Sequence, residues 1–366
     1  MKQILFAIAL MTLAAPASAQ FGSLGDAAKK ATQAKNAVDE FNITDAEERQ
    51  IGEDVSTKIR ARFGVVQDPA IHKYVTLVGT TIAKQSDRPN LNWQFIVLDT
   101  DGVNAFASPG GLVHVTRGAL GLAKNEAELA GILGHEIGHV VRKHTVNAIK
   151  KSTVVKMSSD AAGNRAAVIS SFANRAYEMV LENSFDRGDE LDADKVGTAL
   201  AAKAGYAGGA LGDFLARLDE RNKNQAERNG LFASHPETKE RITKIKQGAA
   251  ASSVLVEPRF KSNVKYEAAA LTSIATVTDG SAGLAGSSKE EPKKEEPKKE
   301  EPKKKGFGVG AVKETVAPEK QSSQVSASGG ARGLGADRAA KGGSNPAIVK
   351  TAVTAAELTT FKQGIA

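Results

Sequence analysis

The hexapeptide Gly134-His135-Glu136-Ile137-Gly138-His139 constrains this chain more than any other stretch. Two histidines four residues apart share one face of an α-helix, a turn apart, so both imidazoles can reach one small cation. Glu136 is rotated off that face and is better placed to hold a water on the cation than to bind the cation itself. The flanking residues predict a helix independently of the motif. Asn125 can cap it, with Glu128 three residues on, and Leu129, Ile132, Leu133, Ile137 and Val140 recur at helical spacing. The motif therefore lies inside a buried helix. A pair of core histidines would show the same spacing, so the metal reading needs a third ligand.

Two spacings were considered for that ligand. A third histidine six residues after His139, beyond a glycine break, would need glycine at 142 and histidine at 145; those positions are Arg142 and Thr145, and His144 is out of register. A glutamate on a later helix is the other route. Glu190 lies in the stretch Asp189 to Ala202, which reads as a second helix, and Asp194 follows four residues later on the same face. Glu190 can bind a metal, and Asp194 can accept a hydrogen bond from the other ring nitrogen of a ligand histidine.

With these residues in place the chain resembles the zinc metallopeptidase family of the CAAX prenyl protease and the HtpX-type proteases, in its soluble periplasmic branch related to outer-membrane quality-control proteases. The resemblance runs from about Thr44 to Tyr266. It is carried by Asn104-Ala105-Phe106-Ala107-Ser108-Pro109-Gly110-Gly111, Val115-Thr116-Arg117-Gly118, the helix Glu126 to His144, Arg187-Gly188-Asp189-Glu190 with Ala193-Asp194, and Ser234-His235-Pro236. It implies an α+β, zincin-like fold, mainly helical with a small sheet. It also implies one Zn2+ held by His135, His139 and Glu190, with Asp194 behind a ligand and Glu136 as the base. His235 is placed at the mouth of the site and Arg187 near a developing oxyanion. Phe185-Asp186 departs from a commoner Tyr-Ser at that point.

The start of the chain reads as a signal peptide over residues 1–19: Lys2, an apolar run from Ile4 to Ala15, Pro16, and small residues up to Ala19. The mature chain is then expected to begin at Gln20 in the periplasm, without a transmembrane segment. With no cysteine, neither a disulfide nor a cysteine-linked lipid can form. The formal net charge of +7 invites a nucleic-acid reading, but residues 44–262 carry 29 basic and 27 acidic side chains and show no basic stripe, so nucleic acid is not an expected partner.

Residues 20–43 read as a mobile arm with a weak helix from Leu24 to Phe41. Residues 44–270 read as the catalytic domain. Its first helix runs from Thr44 to Phe63, with Ile51, Val55 and Ile59 inward, and a second follows Pro69. Leu91 to Leu98 and Leu112 to Thr116 are expected strands. Peptide substrates often add a strand to a sheet edge, so Gly111, Val113, His114 and Val115 are the expected substrate contacts, His114 being more readily an uninvolved strand histidine. The Ala/Ser-rich stretch from Lys150 to Val180 can be a lid over residues 157–180 or a variable connection.

The composition changes after about residue 271. Glu290 to Lys304 is three copies of Glu-Glu-Pro-Lys-Lys, a solvated linker that cannot form a core. Residues 345–366 regain Ile348, Val349, Val353, Leu358 and Phe361, with Thr354 and Glu357 positioned to cap a short helix. That segment is expected to dock on the catalytic domain, at the sheet edge or the N-terminal helices. The expected activity is zinc-dependent endopeptidase cleavage of misfolded or stalled envelope proteins, possible contact with outer-membrane assembly machinery included. The competing class is a periplasmic chaperone or assembly factor with little proteolytic activity.

Overall fold

The computed structural model describes residues 42–153, 165–181, 185–223, 235, 238–249, 252–271, 276–278, 321–325 and 345–365. The leader, the arm up to Phe41, residues 157–164 of the expected lid and the Glu-Glu-Pro-Lys-Lys repeats lie outside the described residues. Helix α1 (Asp45–Phe63) starts at a reciprocal capping box, in which Thr44 accepts from Glu47 N–H and the Glu47 carboxylate accepts from Thr44 N–H. It stops at Gly64, whose φ of 74° ends the helix. Helix α2 (Pro69–Ala83) begins at Pro69, with Asp68 as cap.

Three strands follow: β1 (Gln94–Leu98), β2 (Ala105–Ser108) and β3 (Leu112–Thr116). Their order is β1-β3-β2, with β3 parallel to β1 and antiparallel to β2. Alternate residues face opposite sides. Phe95, Val97, Ala105, Val113 and Val115 enter a large core with α2 and the later helices, while Ile96, Leu98 and Phe106 enter a second core with α1. Both faces are covered, so little polar alternation was available to mark these strands in the sequence.

Beyond the sheet come α3 (Arg117–Leu122), α4 (Glu126–Val141), α5 (His144–Thr153), α6 (Arg165–Leu181), α7 (Arg187–Lys203), α8 (Ala210–Asn222), α9 (Thr238–Gly248) and α10 (Glu257–Asn263). Helix α6 buries Val168, Ile169, Phe172, Ala173, Ala176 and Val180 in the second core. Residues 165–180 are therefore a core helix rather than a lid. A short pair, β4 (Thr276–Thr278) and β5 (Gln321–Val325), is antiparallel. No helix among the described residues is long and apolar enough to cross a membrane.

The segment Asn345–Ile365 lies against the N-terminal helices. Val65 N–H donates to Asn345 O (2.6 Å) and Arg60 to Pro346 O (2.6 Å), while the Thr76 and Thr351 hydroxyls meet at 3.3 Å. Its helix α11 (Ala355–Gln363) repeats the capping box with Thr354 and Glu357. Phe361 packs edge-on to Tyr74, and the Arg259 guanidinium stacks on its ring at 3.9 Å. Arg259 also donates to Phe361 O (2.8 Å) and to Glu126, the first residue of α4. Glu126 is fully buried and accepts further bonds from Tyr74 (2.8 Å) and Tyr206 (2.7 Å). Docking of this segment matches the expectation, and it takes the α1–α2 side of the domain.

Candidate metal centre

Helices α4 and α7 approach almost backbone to backbone. A methyl group placed on Gly134 would lie 2.7 Å from Gly197 O, and one on Gly138 would lie 2.9 Å from Ala193 O. This seam brings Glu190, in the first turn of α7, between the two histidines of α4. Asp186 caps α7 by accepting from Asp189 N–H, which fixes that first turn.

His135 Nε2 and His139 Nε2 are 3.1 Å apart. Glu190 Oε1 lies 3.4 Å from His139 Nε2, and Glu190 Oε2 lies 3.6 Å from His135 Nε2. His235 Nδ1 completes the group, 3.2 Å from His135 Nε2 and 2.8 Å from Glu190 Oε1. All four residues are buried, and one donor atom from each lies within 4.8 Å of the others. Metal–nitrogen bonds of about 2.0–2.1 Å in a tetrahedron put neighbouring donors about 3.3 Å apart. The observed separations bracket that value, and two imidazoles, a third imidazole and a carboxylate are a donor set suited to a borderline-soft cation.

The groups around the cluster are ordered for the same purpose. Asp194 Oδ1 lies 2.9 Å from His135 Nδ1 and is held from behind by Arg241, at 2.7 and 2.8 Å. Arg241, 1% exposed, also meets Glu190 Oε2 at 2.9 Å and donates to His235 O. Phe185 stacks on the His139 ring with 4.1 Å between centroids. Burial would raise the Glu190 carboxyl, but His235 and His139 hold it well below the usual range. Asp194 is likewise held low against its burial by Arg241 and His135. Burial drives His139 well below the ordinary imidazole value, the neutral form a metal ligand needs. His235 goes the other way: burial would lower it, and Glu190 and Glu136 more than reverse that.

Glu136 differs from every carboxylate around it. It is 1% exposed, and neither carboxylate oxygen has a hydrogen-bond partner among the described residues. Burial raises its proton affinity, opposed by His235 and His135. His235 Nε2 is 3.8 Å away. A buried unpaired carboxylate is costly to keep, so its position beside four metal-type donors points to chemistry rather than packing.

The other expected site residues are placed elsewhere. Strand β3 is the middle strand, hydrogen-bonded on both sides, so it has no free edge to offer a peptide. Val113 and Val115 are core residues, and Gly111 sits in the β2–β3 turn at φ 94°. His114 is fully buried, with Nε2 2.9 Å from Ser56 Oγ. Register explains this: Ile96, His114 and Phe106 lie side by side on the face turned towards α1. Arg187 lies at the surface, 59% exposed, and ties α7 to α9 through Glu240 at 2.5 Å. The arginine at the cluster is Arg241, which the sequence reading did not single out. A usable signal was present, because Arg241 precedes buried Ile245 by four residues and so shares the inward face of α9.

An HExxH helix clamped to a second helix that supplies a carboxylate, beside a small sheet, defines a domain of the metallopeptidase type. Residues 69–249 match peptidase family M48, and the chain belongs to that family. Over 217 residues it is 25% identical to the beta-barrel assembly-enhancing protease of Yersinia pestis, covering 56% of this chain and 44% of that protein. It is 27% identical over 203 residues to the mitochondrial metalloendopeptidase OMA1 of Schizosaccharomyces pombe, covering 55% and 60%. With the metalloprotease YcaL of Escherichia coli K12 it shares 31% identity over 159 residues, 42% and 60% of the two chains. The chain thus spans about half the length of such relatives.

Proposed function

We propose that this protein is a zinc-dependent endopeptidase that cleaves unfolded or misassembled proteins of the cell envelope. The observation that carries the reading is the buried Glu136 carboxylate, without a hydrogen bond among the described residues, beside His135, His139, Glu190 and His235. His135, His139 and Glu190 would hold the ion. When bound, zinc supplies Lewis acidity to a water and to the scissile carbonyl.

The chain's own residues do the rest. Glu136 accepts the proton of the attacking water and delivers it to the departing amine, a role its raised proton affinity suits. Asp194 fixes the His135 tautomer by accepting from Nδ1–H, and Arg241 keeps Asp194 ionised while meeting Glu190 Oε2 at 2.9 Å. His235, with its imidazolium favoured by Glu190 and Glu136, is placed to meet the developing oxyanion once it leaves the cluster.

The envelope assignment draws on the beta-barrel assembly-enhancing proteases among the relatives and on a cleavable leader over residues 1–19, which would deliver the mature chain to the periplasm. Outer-membrane assembly intermediates are then the natural substrate class. Sequencing the N-terminus of exported protein tests the leader, with Gln20 expected first.

The central test is casein cleavage together with zinc content. Glu136→Gln removes a base and no ligand, so it should keep about one zinc and lose about 10²–10⁴-fold in rate. Glu190→Ala should lose the zinc as well. Full activity in Glu136→Gln would sink the assignment.

A further inference from the structure

The two α4 histidines each have a second nitrogen turned away from the cluster. That of His135 meets Asp194. That of His139 meets another imidazole instead: His139 Nδ1 and His144 Nδ1 are 3.0 Å apart. His144 is buried, at 5% exposure, and its Nε2 faces Asp192 Oδ2 at 3.5 Å and Asp189 Oδ1 at 3.7 Å. Those two aspartates flank Glu190 on α7. The helix that would supply the third ligand therefore also grips the residue behind the second.

We propose that His144 is the positioning residue for His139, fixing its tautomer and ring plane for metal binding. The proposal rests on the reading of His139 as a ligand through Nε2. A lone pair on Nε2 requires the proton on Nδ1. His139 Nδ1–H then donates to His144 Nδ1, which leaves the His144 proton on Nε2, directed at the Asp189 and Asp192 carboxylates. The His139–His144 hydrogen bond is thus backed by two carboxylates at ion-pair distance from the far side of the His144 ring. Phe185 stacks on His139 and lies 6.4 Å from the His144 ring, closing the remaining side.

The backbone is bent to make this contact. Helix α4 ends at Val141 with Arg142 as its cap, and α5 begins at His144. Between them Lys143 adopts φ 56°, one of two positive-φ residues other than glycine among the described residues. Its side chain is held by Asp45 at 3.2 Å and Glu48 at 2.9 Å. A continued α-helix would put residue 144 five positions on, well round the helix from 139. The left-handed residue turns the chain so that His144 folds back on to His139.

The test is zinc affinity of the full chain by competition with a chromophoric chelator. His144→Leu should weaken zinc binding by about 10–100-fold. His144→Asn, whose side-chain oxygen takes the place of Nδ1 as acceptor, should recover most of that loss. The melting temperatures of the metal-free proteins should agree, which a packing role would not predict. A direct readout needs no variant: in the zinc-loaded wild type, a scalar coupling between His139 Nδ1 and His144 Nδ1 should be visible by nitrogen NMR. Unchanged affinity in the Leu variant, equal loss in Leu and Asn, or no coupling overturns the proposal. A wild type that binds no zinc fails at the ligand assignment itself, and the role of His144 falls with it.

Discussion

His235 Nδ1 stands 2.8 Å from Glu190 Oε1 and 3.2 Å from His135 Nε2, so a fourth protein donor occupies the corner that a hydrolytic site keeps for water. His235→Ala should retain one zinc and raise basal casein cleavage several-fold. A fall in rate would show that its part at the oxyanion outweighs its block of the open corner, and an unchanged rate would remove it from the machinery.

The α4–α7 seam tolerates no side chain. A Cβ on Gly197 would lie 2.5 Å from Gly134 C and from His135 N, both backbone atoms that cannot rotate away. Gly197→Ala should destabilise the fold by about 1–3 kcal/mol, as overpacking does. It should also push Glu190 away from the α4 histidines and lower zinc occupancy. Thermal melting and metal analysis on the same preparation check this; full occupancy would show that the seam can spread without disturbing the cluster.

Burial lowers the His114 imidazole to about 3. The unfolded chain takes up a proton at this residue below about 6.5, while the folded chain refuses it until about 3. More protons are bound in the unfolded state across that window, so stability falls as pH falls, by at most about 1.4 kcal/mol per pH unit. His72 is lowered by burial as well and should contribute in the same direction. His114→Gln, measured on metal-free protein by urea unfolding from pH 6.5 to 4, should give a shallower decline than wild type. Parallel profiles would clear His114 of the effect.

Much of the site could be read from spacing because its parts are local. Asn125 capping α4, the i, i+4 histidines, and Glu190 four residues before Asp194 are all properties of single helices. What could not be read depends on which elements meet. Strand β2 shows no alternation because all four residues are buried, and the insertion of β3 between β1 and β2 is a matter of pairing rather than of any one strand. The same holds for Arg241, whose partners Asp194 and Glu190 lie 47 and 51 residues away along the chain. Arg187, near the motif in sequence, faces outward because Glu240 draws it to α9.

Phe361 joins the C-terminal segment to the domain through Tyr74 and Arg259. Phe361→Ala should cost about 3 kcal/mol of docking and stability. Amides from Val353 to Phe361 should then exchange much faster than in wild type, while zinc content stays the same. Slow exchange in the variant would mean that the bonds to Asn345 O, Pro346 O and the Thr351 hydroxyl hold the segment without the ring.

The docking of α11 also gives the covalent chain between α10 and Asn345 a thermodynamic role that does not depend on its sequence. While that chain is intact, α11 returns to its seat as a unimolecular event at high effective concentration. A single cut anywhere in it would leave every contact in place yet turn the segment into a separate ligand, bound only in proportion to its own concentration. Dilution would then strip it from Tyr74 and Arg259, two of the partners of Glu126 at the start of α4. Cleavage between the two docked ends would thus set the molecularity of the assembly without altering any residue of the site.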